Sequence, residues 1–528
     1  MSMHPSDRST IPPETAELGR KLLNDKDPYR LIGDQLADLV SDQDFADLYS
    51  ALGGAALSPV ILALVTLFQL MEKLPDRAAA SAARLRIDWK YALHVPLDWL
   101  GFHFTNLNHF RQRLVEHEAE YRVFDKLLQK LVALGFVRQR GKQRTDSMSV
   151  LGLLAKLSRL ELVWETLRVA LKAIQAQSPT WLEQTAPEAF LALYLVERHD
   201  YDLTDLQIAA ALRQCGADGL WLLQQLTRAP QPLPELAEVQ ILRAVWAQQF
   251  EADADGTYHG PRTPLEGHGL IQSPHEPEAR YREKRGRGWQ GYVAQISETA
   301  EAKGDPNFIT DVALTDAQVS DVNALPAVQA RLAERELTPS EQYVDQAYVS
   351  GTRLAESETQ GIQLLGPIAS DAGHPGLFTL DDFTIDLNAR QASCPAGHTA
   401  TQWTLSTRAD GSQASTAHFG AVCADCPLRA RCTTAAAGRT ITIHEHHAQV
   451  VRRRAEMQTA EFWQAMKRRP PIEGTISQLA RQGMRRARYR GQRKVNLQLI
   501  FTAAGLNLRR LLRVWITGRV PSWMAANP

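Results

Sequence analysis

After Glu473 the chain contains no further Asp or Glu, although 55 residues follow and 11 of them are Lys or Arg. Because the whole sequence carries a formal net charge of +0, residues 1–473 must sum to −11. A chain segregated in this way suits a polyanionic partner, since clustered cations repel one another unless negative charge lies between them. The same block, Pro470 to Arg513, keeps helical spacing. Ile472, Ile476 and Leu479 share one face, and Leu497, Ile500, Ala504, Leu508 and Leu511 another. Pro470 and Pro471 suit a helix start, which puts Glu473 in a first turn. A carboxylate held there, followed by Arg481, Arg485, Arg486, Arg488, Arg490, Arg493 and Lys494, reads as a metal ligand beside a phosphate track. It requires partner carboxylates from elsewhere in the chain.

Two aspartates lie in strand-like stretches. Arg144-Thr-Asp-Ser-Met-Ser-Val-Leu alternates as a strand should and places Asp146 near its start. Glu341-Gln-Tyr-Val-Asp places Asp345 at the C-terminal end of another, before a turn at Ser350-Gly351. Further strands are expected over 289–296 and 308–314, and a helix over 326–336.

Around these, 1–28 reads as a polar, flexible arm and 29–140 as a helical domain. Within that domain Thr105–Leu114 is a candidate recognition helix, capped by Thr105, with Arg111 and Arg113 reaching phosphates. The core would begin at 141–155, be interrupted by a helical insertion over 156–270, and resume over 271–375. A cysteine-bearing insertion over 376–450 and a catalytic helix with its basic region over 451–520 complete the chain. The longest apolar run, Leu57–Met71, contains Ser58, Pro59, Thr66 and Gln69 and predicts a buried helix capped by Ser58 rather than a membrane span.

Four of the five cysteines, Cys394, Cys423, Cys426 and Cys432, lie within 39 residues. Such clustering, in a chain whose start shows no secretory signal, argues for reduced thiols in the cytoplasm and not for a disulfide framework. The Cys-x2-Cys step and two more thiols can complete a structural zinc tetrahedron, with His398 as an alternative ligand, or remain as unmetallated thiols. Cys215 stands alone and reads as a core residue. The run His444-Glu-His-His447 reads as surface or a helix start.

Several motifs together resemble the bacterial insertion-sequence transposases of the DDE superfamily. These are Pro75-Asp-Arg, Leu85-Arg-Ile-Asp-Trp-Lys-Tyr and the Thr105 segment, Asp146-Ser, Asp345-Gln-Ala-Tyr, Glu473, the Arg485–Gly491 run and Asn507-Leu-Arg-Arg. The resemblance implies an α/β, RNase H-like mixed-sheet core with an N-terminal all-α domain. It implies that Asp146, Asp345 and Glu473 are the catalytic acids and hold Mg2+ or Mn2+ for two-metal cleavage and strand transfer. It also implies double-stranded DNA partners, the element's terminal inverted repeats and its target, bound by a homodimer associated with the nucleoid. Arg469, four residues before Glu473, fits the family's phosphate-contacting arginine. Met466 and Ala480 depart from the tyrosine and lysine of that pattern. The alternatives are a domesticated, inactive DNA-binding protein and a metal-dependent nuclease without strand transfer.

Overall fold

Alternating Thr, Ser and Val residues make Lys142–Leu151 a strand, β1, and the other strands near it are laid out on its two sides. The computed structural model describes residues 8–525 except 51, 154–156, 198–202, 253–256, 266–268, 285, 303, 371–375 and 409–410. Five further strands join β1 in one sheet: β2 (Arg280–Lys284), β3 (Arg287–Thr299), β4 (Ile309–Asp316), β5 (Glu341–Tyr343) and β6 (Gln363–Leu365). The order is β2–β3–β1–β5–β6, and β4 runs along β3 beyond β2. Strand β3 is antiparallel to β1, β2 and β4, whereas β1, β5 and β6 are mutually parallel. This is the order and direction of the expected RNase H-like sheet; the strand expected over 289–296 falls inside β3, and the one expected over 308–314 starts one residue before β4 and ends two residues short of its end.

Five helices complete this part of the fold. Ser58 accepts a hydrogen bond from the Ile61 amide and starts helix α1 (Pro59–Glu72), which is buried from Pro59 through Met71. Helix α2 (Asp321–Glu334) begins five residues before Pro326, so that proline lies inside it. Toward the C-terminus come α3 (His447–Glu456), α4 (Ile472–Leu479) and α5 (Gln492–Thr517). Helix α5 is buried without a break from Leu497 to Leu508, as an element enclosed on every side is. It lies between α1 and β4, so the N-terminal helices, the sheet and the C-terminus share one apolar core. At the closest approach a Cβ on Gly505 would stand 2.8 Å from Met71 Cγ. The helical domain expected over 29–140 is therefore continuous with the catalytic core in packing.

Two of the three outer strands, β4 and β6, are capped by side chains. Asn507 of α5 accepts from the Ile309 amide and donates to the Ile309 carbonyl, each at 2.8 Å, and Asn496 accepts from the Leu314 amide at 2.8 Å. On the far side, Arg453 of α3 donates to the carbonyls of Gly366 and Leu364 at 2.8 and 2.7 Å. Polar groups that would otherwise lie open along β4 and β6 are thus satisfied.

Helices between Arg159 and Gln249 form the insertion, with their own core around Trp164, Leu167, Leu222 and Trp246; Cys215 is wholly buried in it. The cysteine-bearing segment has a small separate core of Phe383, Phe419, Ile441 and Ile443. The boundaries expected at 155 and 375 lie outside the described residues. The arm expected over 1–28 is corrected from Pro13 onward. Pro13–Leu22 is a helix with Thr15 fully buried, because Gly19 allows it to lie against the Tyr91 ring; residues 1–7 lie outside the described set. Thr105 begins its helix but does not cap it: its hydroxyl pairs with His103.

Candidate active site

Asp146 and Asp345 become neighbours through strand pairing. The register of β1 and β5 sets Arg144 opposite Tyr343, and each aspartate lies two residues further on. Asp345 accepts from the Ala347 amide at 2.9 Å, which fixes it at the turn leaving β5. Glu473 sits in the first turn of α4 as expected. One guanidinium joins all three acids. Arg469 Nη2 lies 2.6 Å from Asp146 and 3.8 Å from Asp345, while its Nη1 lies 2.9 Å from Glu473.

The three acids differ in exposure. Asp146 is buried and Glu473 is 68% exposed, so solvent or a ligand reaches the cluster from the Glu473 side. Burial pushes the Asp146 carboxyl up to about 6, against the opposing pull of Arg469 and with help from the nearby charges of Asp345 and Asp321. The acids line a cavity of about 980 Å³ with Ser147, Ser149, Arg282, Lys284, Arg287, Trp289 and Arg485. Among the described residues no group of three or more His, Cys, Asp or Glu side chains stands in a metal-holding arrangement. Around Asp146 the carboxylates are instead in contact with the Arg469 guanidinium.

A second, buried cluster ties these elements together. Glu298 of β3 pairs with Arg144 at 2.6 Å and Arg510 at 3.2 Å, and also accepts from the Thr475 hydroxyl of α4. Arg144 reaches the Arg468 carbonyl at 2.9 Å. Glu298 therefore links the strand of Asp146, the turn before Arg469 and the helix of Glu473. Sequence reading missed Glu298, which carries no motif of its own. Arg510 belongs to the Asn507-Leu-Arg-Arg motif, whose first and last residues seal β4 and bind Glu298.

The basic residues divide into two sets. Arg485 and Arg486 extend along the end of β1, where the Leu151 amide donates to the Arg485 carbonyl at 3.0 Å. Arg481, Arg485, Arg486, Arg490 and Lys494 are exposed. Arg488 instead donates to the Leu74 carbonyl at 2.9 Å, and Arg493 pairs with Glu120 at 2.9 Å. Arg111, expected to reach a phosphate, is buried, pairs with Asp76 at 2.5 Å and stacks on Tyr489; this corrects its reading as a DNA contact. Arg113 lies 4.5 Å over the Tyr49 ring. Asp76 thus gathers motifs from both ends of the chain. The hairpin cations Arg282 and Arg287 were missed, although their alternation with Lys284 and Trp289 was readable as one strand face.

Cys394, Cys423, Cys426 and Cys432 are free thiols grouped about the small core. Burial raises the Cys432 thiol, and the other three thiols, each near enough to act on it, raise it further against the pull of Arg439. Cys423 Sγ accepts from the Arg439 amide at 3.4 Å. His447 begins α3, in line with the expected helix start.

A family model described as Transposase DDE domain matches residues 393–512, and one described as Transposase domain (DUF772) matches 17–113. The first match includes Glu473; Asp146 and Asp345 lie outside both. Neither a curated protein nor a solved structure matches the chain.

Proposed function

From the matches to a transposase DDE domain and a transposase domain, we propose that the chain is a DDE transposase of an insertion sequence and performs metal-dependent DNA strand cleavage and strand transfer at the ends of such an element. The observation that carries this reading is the convergence of Asp146, Asp345 and Glu473 on one cation, the Arg469 guanidinium. Three carboxylates around a positive charge are also the donor set that Mg2+ or Mn2+ takes, since both prefer oxygen ligands. The residues fit such a metal once Arg469 withdraws. Bound there, it would activate water or a 3′ hydroxyl for attack and stabilise the leaving oxygen.

The chain's own residues have separable tasks. Asp146 and Asp345 form the fixed floor, and Glu473, the most exposed acid, closes the site from α4. Arg469, released from the acids, lies beside the reacting phosphate and can take its charge. Two copies pairing the element's terminal repeats would juxtapose both ends with the target, in the cytoplasm at the nucleoid. No helix among the described residues is long and apolar enough to cross a membrane. The four thiols stand in no metal-holding arrangement among the described residues, and they are the side chains that would hold a structural Zn2+ if one binds; metal analysis of reduced protein before and after chelation tests this, and protein that is zinc-free throughout would overturn it.

A labelled duplex carrying the element's terminal repeat, incubated with Mg2+ and a target plasmid, tests the activity. Cleavage and joining are expected, and Glu473→Gln should abolish both while binding persists. Cleavage without joining would identify a nuclease; binding without either would identify a domesticated DNA-binding protein.

A further inference from the structure

We propose that the β2–β3 hairpin is a phosphate cradle for the DNA strand being cut, with Lys284 and Arg287 as its principal contacts, Arg485 as their neighbour and the Trp289 indole as an added donor. This rests on the function proposed above. Period-two alternation turns Arg282 and Lys284 of β2 and Arg287, Trp289 and Val293 of β3 to the same cavity as the three acids. The opposite wall of that cavity therefore carries cations in place of the carboxylates' negative charge.

Two observations point to an anionic occupant. Lys284 and Arg287 stand directly opposite each other in the hairpin register, a like-charge pairing that destabilises a bare ribbon and is relieved by an anion between them. Among the described residues neither they nor Arg485 has an ion-pair partner, in contrast to Arg488 and Arg493. Independently, the Trp289 indole N–H is buried with no hydrogen-bond acceptor among the described residues. An unmet buried donor is costly, and a phosphate oxygen would satisfy it. The ring is held by Arg282, which lies 6.0 Å over it and donates to the Ala317 and Val319 carbonyls at 2.9 and 3.3 Å. The donor is fixed in place before any ligand arrives.

A strand whose scissile phosphate meets Asp146, Asp345 and Glu473 would run its neighbouring phosphates onto this face. These contacts follow the backbone and read no sequence, so they belong to every substrate the site accepts.

The test is affinity of the full chain for terminal-repeat and random duplexes, read by fluorescence anisotropy across a salt series in chelator, where no cleavage occurs. Lys284→Ala/Arg287→Ala should flatten the slope of log K against log salt by about 1.8, at 0.9 per phosphate contact. The loss should be equal for both duplexes. Lys284→Arg/Arg287→Lys should restore the slope, and Lys172→Ala/Arg228→Ala, exposed cations on the helical insertion, should leave it unchanged. Trp289→Phe keeps the ring and removes the N–H, so binding should weaken about three- to tenfold with the slope retained. An unchanged slope in the folded double variant, while wild type still cuts DNA, would overturn the cradle and leave the proposed function standing. A flattened slope in a protein that never cuts would uphold the cradle and defeat the chemistry.

Discussion

Arg144 and Glu298 face each other directly across β1 and β3, joined at 2.6 Å with both side chains almost wholly out of solvent. Such a pair offsets its desolvation only while every partner is in place. Glu298→Gln would leave Arg144 and Arg510 buried without their counter-ion. The unfolding free energy should fall by about 3–5 kcal/mol, read from urea melts. Thr475→Val removes only the hydroxyl, which donates to Glu298 and accepts from Arg510, and should cost about 1–3 kcal/mol. Because those contacts hold α4, Thr475→Val should also weaken Mg2+ binding, read by calorimetry, without altering DNA affinity in chelator.

Arg469 competes with any metal for the same three carboxylates. In Arg469→Gln the competing charge is gone, so Mg2+ should bind about tenfold more tightly, within the range by which an adjacent guanidinium biases a carboxylate. Titration calorimetry without DNA measures this independently of turnover. Equal or weaker metal affinity in the variant would remove Arg469 from the role of internal counter-ion.

Asp146 gives the metal-free protein a pH signature. Its carboxyl is raised from 3.8 to about 6 on folding, chiefly by burial, so the folded state binds the proton more tightly than the unfolded chain. The stability it contributes is full below about pH 3.8 and is lost as pH climbs through 6, by about 3 kcal/mol for a two-unit shift. Asp146→Asn cannot titrate there. Between pH 4 and 7 wild type should lose up to about 3 kcal/mol more than the variant in parallel urea melts.

Gly505 sits where α5 passes closest to Met71 of α1. Gly505→Val would force the two helices apart and add a branched side chain within a helix. A loss of about 1–3 kcal/mol is expected, the usual range for overfilling a packed core, measured by thermal melting. Thr517→Ala, near the exposed end of the same helix, should cost well under half as much.

Much of the sheet was legible because each strand carries its own alternation, and the acids lay at strand ends or in a first turn where local spacing could mark them. Arg111 was misread because helical periodicity shows that a residue faces something but not whether that is DNA or Asp76, 35 residues earlier in the chain. Glu298 was invisible for a related reason. Its meaning comes from Arg144, Thr475 and Arg510, which only folding brings together. The opening helix at Pro13 was read as an arm because its polar sequence buries mainly Thr15, Ala16 and Gly19, small residues that leave little apolar signal.

The asparagines of α5 that close β4 bear on how the chain is made. An outer strand with open amides and carbonyls is a template on which another chain can pair. Asn496 and Asn507 follow the β4 residues they bind by 182 and 198 residues, so during synthesis β4 stays unguarded until α5 has emerged and docked. A message truncated before residue 492 should yield insoluble aggregates and not a soluble fragment able to compete for DNA. The edge of β4 is closed late, in one step, when α5 slides between α1 and the sheet.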